Sequence, residues 1–451
     1  MASHDAYAAM RVPHFRLLLI GRLIATIGEQ MVSVAVGWDV YEKTGDAFLL
    51  GMIGLVHVIP VFLFALPAGV AADRYSRRTI AIFAQAVLIV CALVLTLLSL
   101  SHAPLIFTFI TLVVIGTARA FNTPAENALT PLLVPESIFH SAATWSSMVW
   151  QLSAITGPAL GGVLIGLPAI IERLVPTNPL LIGLPASIAR IAPTSGGLAN
   201  ALSVFGGGAT TVYSLYALGG VVLFAVLLII RPRPQPAYIK GESPIESVRA
   251  GLRFLRRDKI ILPSITLDMF AVLLGGAVYL LPVYAKDILQ VGAEGLGWLR
   301  AAPAIGALCM SIVIANRPPF KNTGRTLLLA VAGFGLATIV FGVSTNFWLS
   351  MAMMFALGAL DNISVIIRRT IELVFAPDAM RGRISAVQSI FIGASNELGG
   401  FESGVTAALL GAVGSVVFGG FGTLIVVGAV AVFAPQLRML KRITRVETEP
   451  A

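Results

Sequence analysis

Glu29, Asp268, Asp361, Glu397 and Glu402 are carboxylates set inside long runs of apolar residues. There an ionised group must find a cation, a hydrogen-bond donor or a proton. Such groups can exchange a proton or hold a polar part of a small molecule, and so they head the list of residues able to do chemistry. Arg22, seven residues before Glu29, falls about two helical turns away on nearly the same face. Arg119 is a second interior cation, able to answer one of the carboxylates. Glu397 and Glu402 are five residues apart, about 140° around a helix, so they cannot both point into one cavity. Glu397, nearer the middle of its run, is assigned to the cavity. Imidazoles as a class exchange protons near neutrality, which adds His57. For each of these residues the alternative is a structural role, a polar side chain satisfied by a neighbouring helix.

The elements that carry them are helical spans. Residues are 57% hydrophobic and only 12% charged, with mean hydropathy +0.90, far from a soluble chain. Apolar runs long enough to cross about 30 Å of hydrocarbon occur near 15–41, 51–71, 79–100, 104–124, 141–166, 209–230, 260–284, 294–316, 325–343, 346–367, 384–410 and 412–433. They are too long and too uniformly apolar for the alternating strands of a barrel. The expected fold is an all-α membrane protein with twelve transmembrane helices in two pseudo-symmetric six-helix bundles.

A net charge of +9 could suit nucleic acid, but its distribution does not. Of the 31 Lys and Arg, only Lys43, Arg173, Arg190, Lys286 and Arg300 fall on odd-numbered connections. This bias predicts a multi-pass protein of the cell inner membrane with both termini in the cytoplasm. The first run holds Arg22 and Glu29 and shows no small-residue cleavage site, so it reads as a retained helix. Cys91 and Cys309 lie within spans and make no disulfide framework. The sequence has no phosphate-binding Gly-x-x-x-x-Gly-Lys-Ser/Thr loop, zinc-ligand spacing or Gly-x-Ser-x-Gly elbow. No catalytic residue, metal or cofactor is assigned, and the protein is not expected to be an enzyme.

Organisation follows from charge and proline. Residues 1–14 form a short N-terminal segment and 15–230 the first bundle. Residues 231–259 are a basic linker opened by Arg231, Pro232, Arg233 and Pro234. Residues 260–433 are the second bundle and 434–451 a basic tail. The halves resemble each other. Gly116–Glu136 and Gly358–Asp378 align without a gap at an offset of 242, pairing Gly116 with Gly358, Arg119 with Asp361, Pro135 with Pro377 and Glu136 with Asp378. Such internal duplication is common among transporters.

Gly69-Val70-Ala71-Ala72-Asp73-Arg74-Tyr75-Ser76-Arg77-Arg78 resembles the signature loop between the second and third helices of the major facilitator superfamily. Ser153-Ala154-Ile155-Thr156-Gly157-Pro158-Ala159-Leu160-Gly161-Gly162 is similar to the antiporter motif of its exporters, with Ser153 where that motif begins with Gly. The runs Pro377–Ala386 and Ser395–Gly404 resemble the branch that holds the enterobactin exporter and macrolide efflux proteins. The resemblance covers nearly the whole chain, although Asn316–Phe320 keeps little of a second signature loop.

The charge distribution already argues against nucleic acid; the resemblance implies a secondary active transporter that works as a monomer, with membrane lipid, protons and a small-molecule substrate as its partners. Its implied action is proton-coupled efflux of an amphipathic or hydrophobic compound such as a drug or siderophore. It implies that Gly69, Asp73, Arg74, Arg77 and Arg78 form a conformational latch, Asp73 docking at the start of the eleventh helix. Glu29 would then be a coupling or substrate-contact residue. Alternatives are uptake or lysophospholipid flipping by the same fold, or a non-transporting sensor or assembly factor. Arg368, Arg369, Glu372, Arg381 and Arg383 read as solvated topology and salt-bridge residues near the cytoplasmic membrane edge. Residues 167–208 make a long external connection expected to carry one or two short interfacial helices.

Overall fold

Backbone amides in hydrocarbon have no water to bond, so the apolar runs close their hydrogen bonds internally as helices. The computed structural model describes residues 5, 7–174, 208–234, 244–318 and 320–441, and no β-strand occurs among them. In chain order the main helices are α1 (Pro13–Thr44), α2 (Ala47–Arg74), α3 (Arg77–Leu100), α4 (Leu105–Leu129), α5 (Phe139–Leu174) and α6 (Ala209–Ile229). After the linker come α7 (Pro244–Leu255), α8 (Ile261–Leu274), α9 (Gly292–Ala315), α10 (Thr323–Val343), α11 (Phe347–Phe375) and α12 (Asp378–Phe433).

Local chemistry sets several boundaries. Pro13 opens α1 at a position whose N–H would have no helical partner. Gly45, at φ 63°, closes it in the left-handed region. Asn346 caps α11 by accepting from the backbone N–H groups of Trp348 and Leu349.

Among the described residues, eleven helical stretches are long and apolar enough to cross a membrane, and the last is double. Gly411 (φ 75°, ψ 164°) breaks α12 into two spanning arms, in a backbone region open essentially to glycine alone. The result is the expected all-α, twelve-span architecture. The seventh span is less regular than its composition suggested. Past α8 it continues as a 3₁₀ turn (Ala277–Leu280), the short helix Leu281–Val283 and a π turn (Tyr284–Ile288). The fifth is longer than expected, because α5 runs to Leu174, well into the connection placed at 167–208. The interfacial helices expected there fall, from 175 to 207, outside the described residues.

The chain forms two compact units, Met1–Gly45 with Ile59–Tyr238 and Ala285–Ala301, and Asp46–Val58 with Ile239–Tyr284 and Ala302–Ala451. In the first, α1 packs on α5 and α6, and α3 on α4 and α6. Phe15, Leu18, Leu129 and Leu227 form its buried core. In the second, α10 packs on α11 and α12, and α8 on α12, around Ile261, Leu267, Leu327 and Ile371. The α7 helix docks on α12 through buried Leu255 and through Gly251, which lies against the Arg383 carbonyl and Val387. Large apolar side chains such as Phe83, Leu329, Trp348 and Phe433 remain exposed, as lipid-facing helices require.

Candidate functional site

Interior ion pairs build the candidate site. In the first unit Arg119 on α4 reaches back to α1, its Nη2 lying 3.2 Å from Glu29 Oε1. Their side chains are 31% and 38% exposed, with Tyr216 of α6 beside them. This pair is close enough to be charge-neutral and open enough to meet a ligand.

Arg22 does not serve Glu29 as its helical spacing suggested. Its Nε lies 3.1 Å from Glu126 Oε2, out of line for a hydrogen bond. Its Nη1 donates to Thr130 Oγ1 at 2.9 Å and its Nη2 to the Glu126 carbonyl. Asn122 donates to Glu126 Oε1 at 2.8 Å. The reason is reach: two turns along one helix exceed a side-chain hydrogen bond, whereas α4 presents Glu126 directly.

In the second unit Arg368 Nη2 lies 2.6 Å from Asp268 Oδ1, and both side chains are buried, at 4% and 7% exposure. Arg368 Nε also donates to Ser364 Oγ at 3.2 Å. Arg368 thus makes the salt bridge expected of it but is buried and not solvated, because α8 supplies a carboxylate at its depth. Asp361 lines a small pocket with Asp268 and Ser364. On α12, Glu397 accepts from the Tyr279 hydroxyl at 2.6 Å, and Glu402 accepts from Ser403 Oγ at 3.4 Å. His57 lies half-buried in the first part of α2.

The basic loop closes helix ends. Arg77 Nη1 donates to the Ala128 carbonyl of α4 at 3.0 Å, while Arg78 donates to the Leu227 and Leu228 carbonyls of α6 at 2.8 and 2.6 Å. These are carbonyls in the last turns of both helices, where cations are favoured. Arg74 is exposed, and Gly69 has open space where a Cβ would stand. The side chain of Asp73 lies outside the described residues. In the Gly157–Gly162 segment, where Pro158 lies inside α5, Gly161 packs on Met31 of α1. A Cβ on Gly162 would meet the Gly297 backbone of α9 at 2.6 Å.

Glu126, Asn122, Ser364 and Tyr279 were not singled out by sequence. One signal for the first three was present: the 242-residue repeat aligns Glu126 with Arg368 and Asn122 with Ser364, a polar pair conserved in position between the halves. Tyr279 gave no signal, since nothing in its spacing ties it to Glu397.

The family model for transmembrane secretion effectors matches residues 4–171 and 167–449. The chain belongs to the transmembrane secretion effector family. It is accordingly a multi-pass transporter of the major facilitator superfamily, not an enzyme. This family member is 23% identical over 431 residues to the enterobactin exporter EntS of Shigella boydii serotype 4 (strain Sb227), covering 95% of this chain and 94% of that one. The same figures hold for the enterobactin exporter EntS of Escherichia coli O1:K1 / APEC. Its fold matches that of a POT family transporter solved with 5-aminolevulinic acid, at TM-score 0.68 and 12% identity over 94% of this chain and 96% of that one.

Proposed function

We propose that this transmembrane secretion effector exports an amphipathic or hydrophobic small molecule, of the size and polarity of a siderophore, across the bacterial inner membrane in exchange for protons, with both termini in the cytoplasm. The observation that carries this reading is the Glu29–Arg119 pair, a half-exposed ion pair between α1 and α4. Exposed apolar surface binds many ligands, but a paired acid and base add a polar anchor that can part and re-form as substrate enters and leaves. Arg119 would hold an anionic or phenolic group while Glu29 takes a hydroxyl or amine. The similarity to enterobactin exporters supports outward transport and a siderophore or comparable small molecule as cargo. The basic bias of alternate connections supports the orientation.

The test uses the full-length protein in acid-loaded proteoliposomes. Siderophores, macrolides and lipophilic cations are supplied outside, and proton release and cargo accumulation are recorded together. Export predicts cargo entering as protons leave, with Glu29→Gln and Arg119→Gln weakening the concentration dependence. Cargo and protons moving in the same direction would identify an uptake permease, and no flux across the panel would remove the export reading.

A further inference from the structure

The two halves repeat one polar arrangement with the signs of its two ionic positions reversed. In the gapless alignment at offset 242, Arg119 corresponds to Asp361, Asn122 to Ser364 and Glu126 to Arg368. The structure keeps the pattern. Asn122 bonds Glu126 one turn on, as Ser364 bonds Arg368. Glu126 pairs with Arg22 on the first span of its half, and Arg368 with Asp268 on the first span of the other.

Charge balance then differs between the units. The first holds Glu29 and Glu126 against Arg22 and Arg119, all engaged in two ion pairs. In the second, Arg368 is taken by Asp268, and the position matching Arg119 carries a second acid, Asp361. Asp268, Asp361 and Ser364 share a pocket walled by Val331, Phe334 and Leu360. The cluster has two carboxylates and one guanidinium in an apolar enclosure, an excess of one negative charge that low-dielectric surroundings disfavour.

The described groups on the neighbouring helices are apolar, acidic or placed elsewhere. The wall from α10 is apolar. On α12, Glu397 and Glu402 are further acids, engaged by Tyr279 and Ser403. Asn362, next in sequence, donates to the Ala307 carbonyl and Ser311 Oγ of α9. Arg369 and Arg381 line a different pocket, with Glu372. The cavity itself, about 10 Å³, is at the threshold for one water. An organic cation does not fit, and the guanidinium opposes a metal ion.

We propose that the Asp268–Asp361 pair, held by Arg368, is the binding site of the transported proton. This rests on the exporter reading and separates the two tasks: Glu29 and Arg119 meet cargo, and the second unit carries the proton. Binding forms one O–H bond on a carboxylate and brings the cluster to neutrality. The proton is shared by the pair, so it belongs to neither acid alone. Release to the opposite side breaks that bond and restores the negative charge.

Asp361→Asn is the informative variant, because it removes the excess charge and leaves the Asp268–Arg368 pair in place. Two readouts are taken on the full-length protein in lipid. The first is the infrared carbonyl stretch of protonated carboxyl groups, recorded without cargo, with Glu29→Gln as control. We expect a band in wild type and Glu29→Gln that is lost in Asp361→Asn. The second is cargo accumulation with the membrane potential clamped. A gradient of about one pH unit supports about tenfold accumulation at one proton per neutral cargo molecule. Asp361→Asn should lose that accumulation and keep exchange of internal for external cargo. An unchanged carboxyl band in Asp361→Asn, or accumulation equal to wild type, would overturn the assignment. If no cargo in the panel moves, the export reading fails while the infrared band still decides the proton site.

Discussion

Glu126 and Arg368 stand at equivalent positions of the two repeats, carry opposite charge, and each closes an ion pair with the first span of its own half. A duplicated helix pair has kept the geometry of the contact and exchanged the identity of the ions. What the membrane interior selects at this depth is compensation of charge, because an isolated ion there is costly whichever its sign.

Loss of one partner should therefore cost stability in proportion to burial. Removing one member of a buried pair strands the other, at about 3–5 kcal/mol in well-buried cases. Guanidinium side-chain exposure rises from 4% at Arg368 to 12% at Arg22 and 31% at Arg119. Thermal unfolding in one detergent should show Arg368→Ala as the largest loss, Arg22→Ala as intermediate and Arg119→Ala as the smallest. A loss for Arg119→Ala equal to that for Arg368→Ala would contradict this order.

Arg78 should act as a helix cap more than as a topology charge. Its guanidinium spans two successive carbonyls at the end of α6, a fork that lysine cannot reproduce. Arg78→Lys keeps the charge and should still increase amide hydrogen exchange in the last turn of α6, with Arg78→Ala increasing it further. Equal protection in wild type and Arg78→Lys would reduce the contribution of Arg78 to charge alone.

The spans were legible in the sequence because a membrane helix is a one-dimensional property: length and apolarity suffice, and Gly411 even marked the division of α12. The break after α8 was not, because Gly275 and Gly276 take their conformation from tertiary packing, Gly276 lying against Gly399 and Ser403. Candidate ions could be named one at a time, since each interrupts an apolar run. Their partners depend on which helices adjoin, and helical spacing alone misled for Arg22. The burial of Arg368 was not legible for the same reason, its partner Asp268 lying on another helix. The repeat was the one sequence signal carrying pairwise information: it set Arg119 opposite Asp361, while the equivalence of Glu126 and Arg368 acquires meaning only once their partners on other spans are known.

Close helix approach gives a contrast between two motif glycines. A Cβ at Gly162 would fall 2.6 Å from the Gly297 Cα and against the Ala293 carbonyl, both backbone of α9 and unable to yield as a side chain would. At Gly69 it would meet nothing within 4 Å. Gly162→Ala should destabilise the protein by about 1–3 kcal/mol, the usual range for overpacking, and Gly69→Ala should leave unfolding unchanged or slightly improve it through lower chain entropy. Unfolding of both variants in the same detergent separates the cases. Equal stability of the two would mean that α5 and α9 separate at little cost, and that Gly162 permits contact without enforcing it.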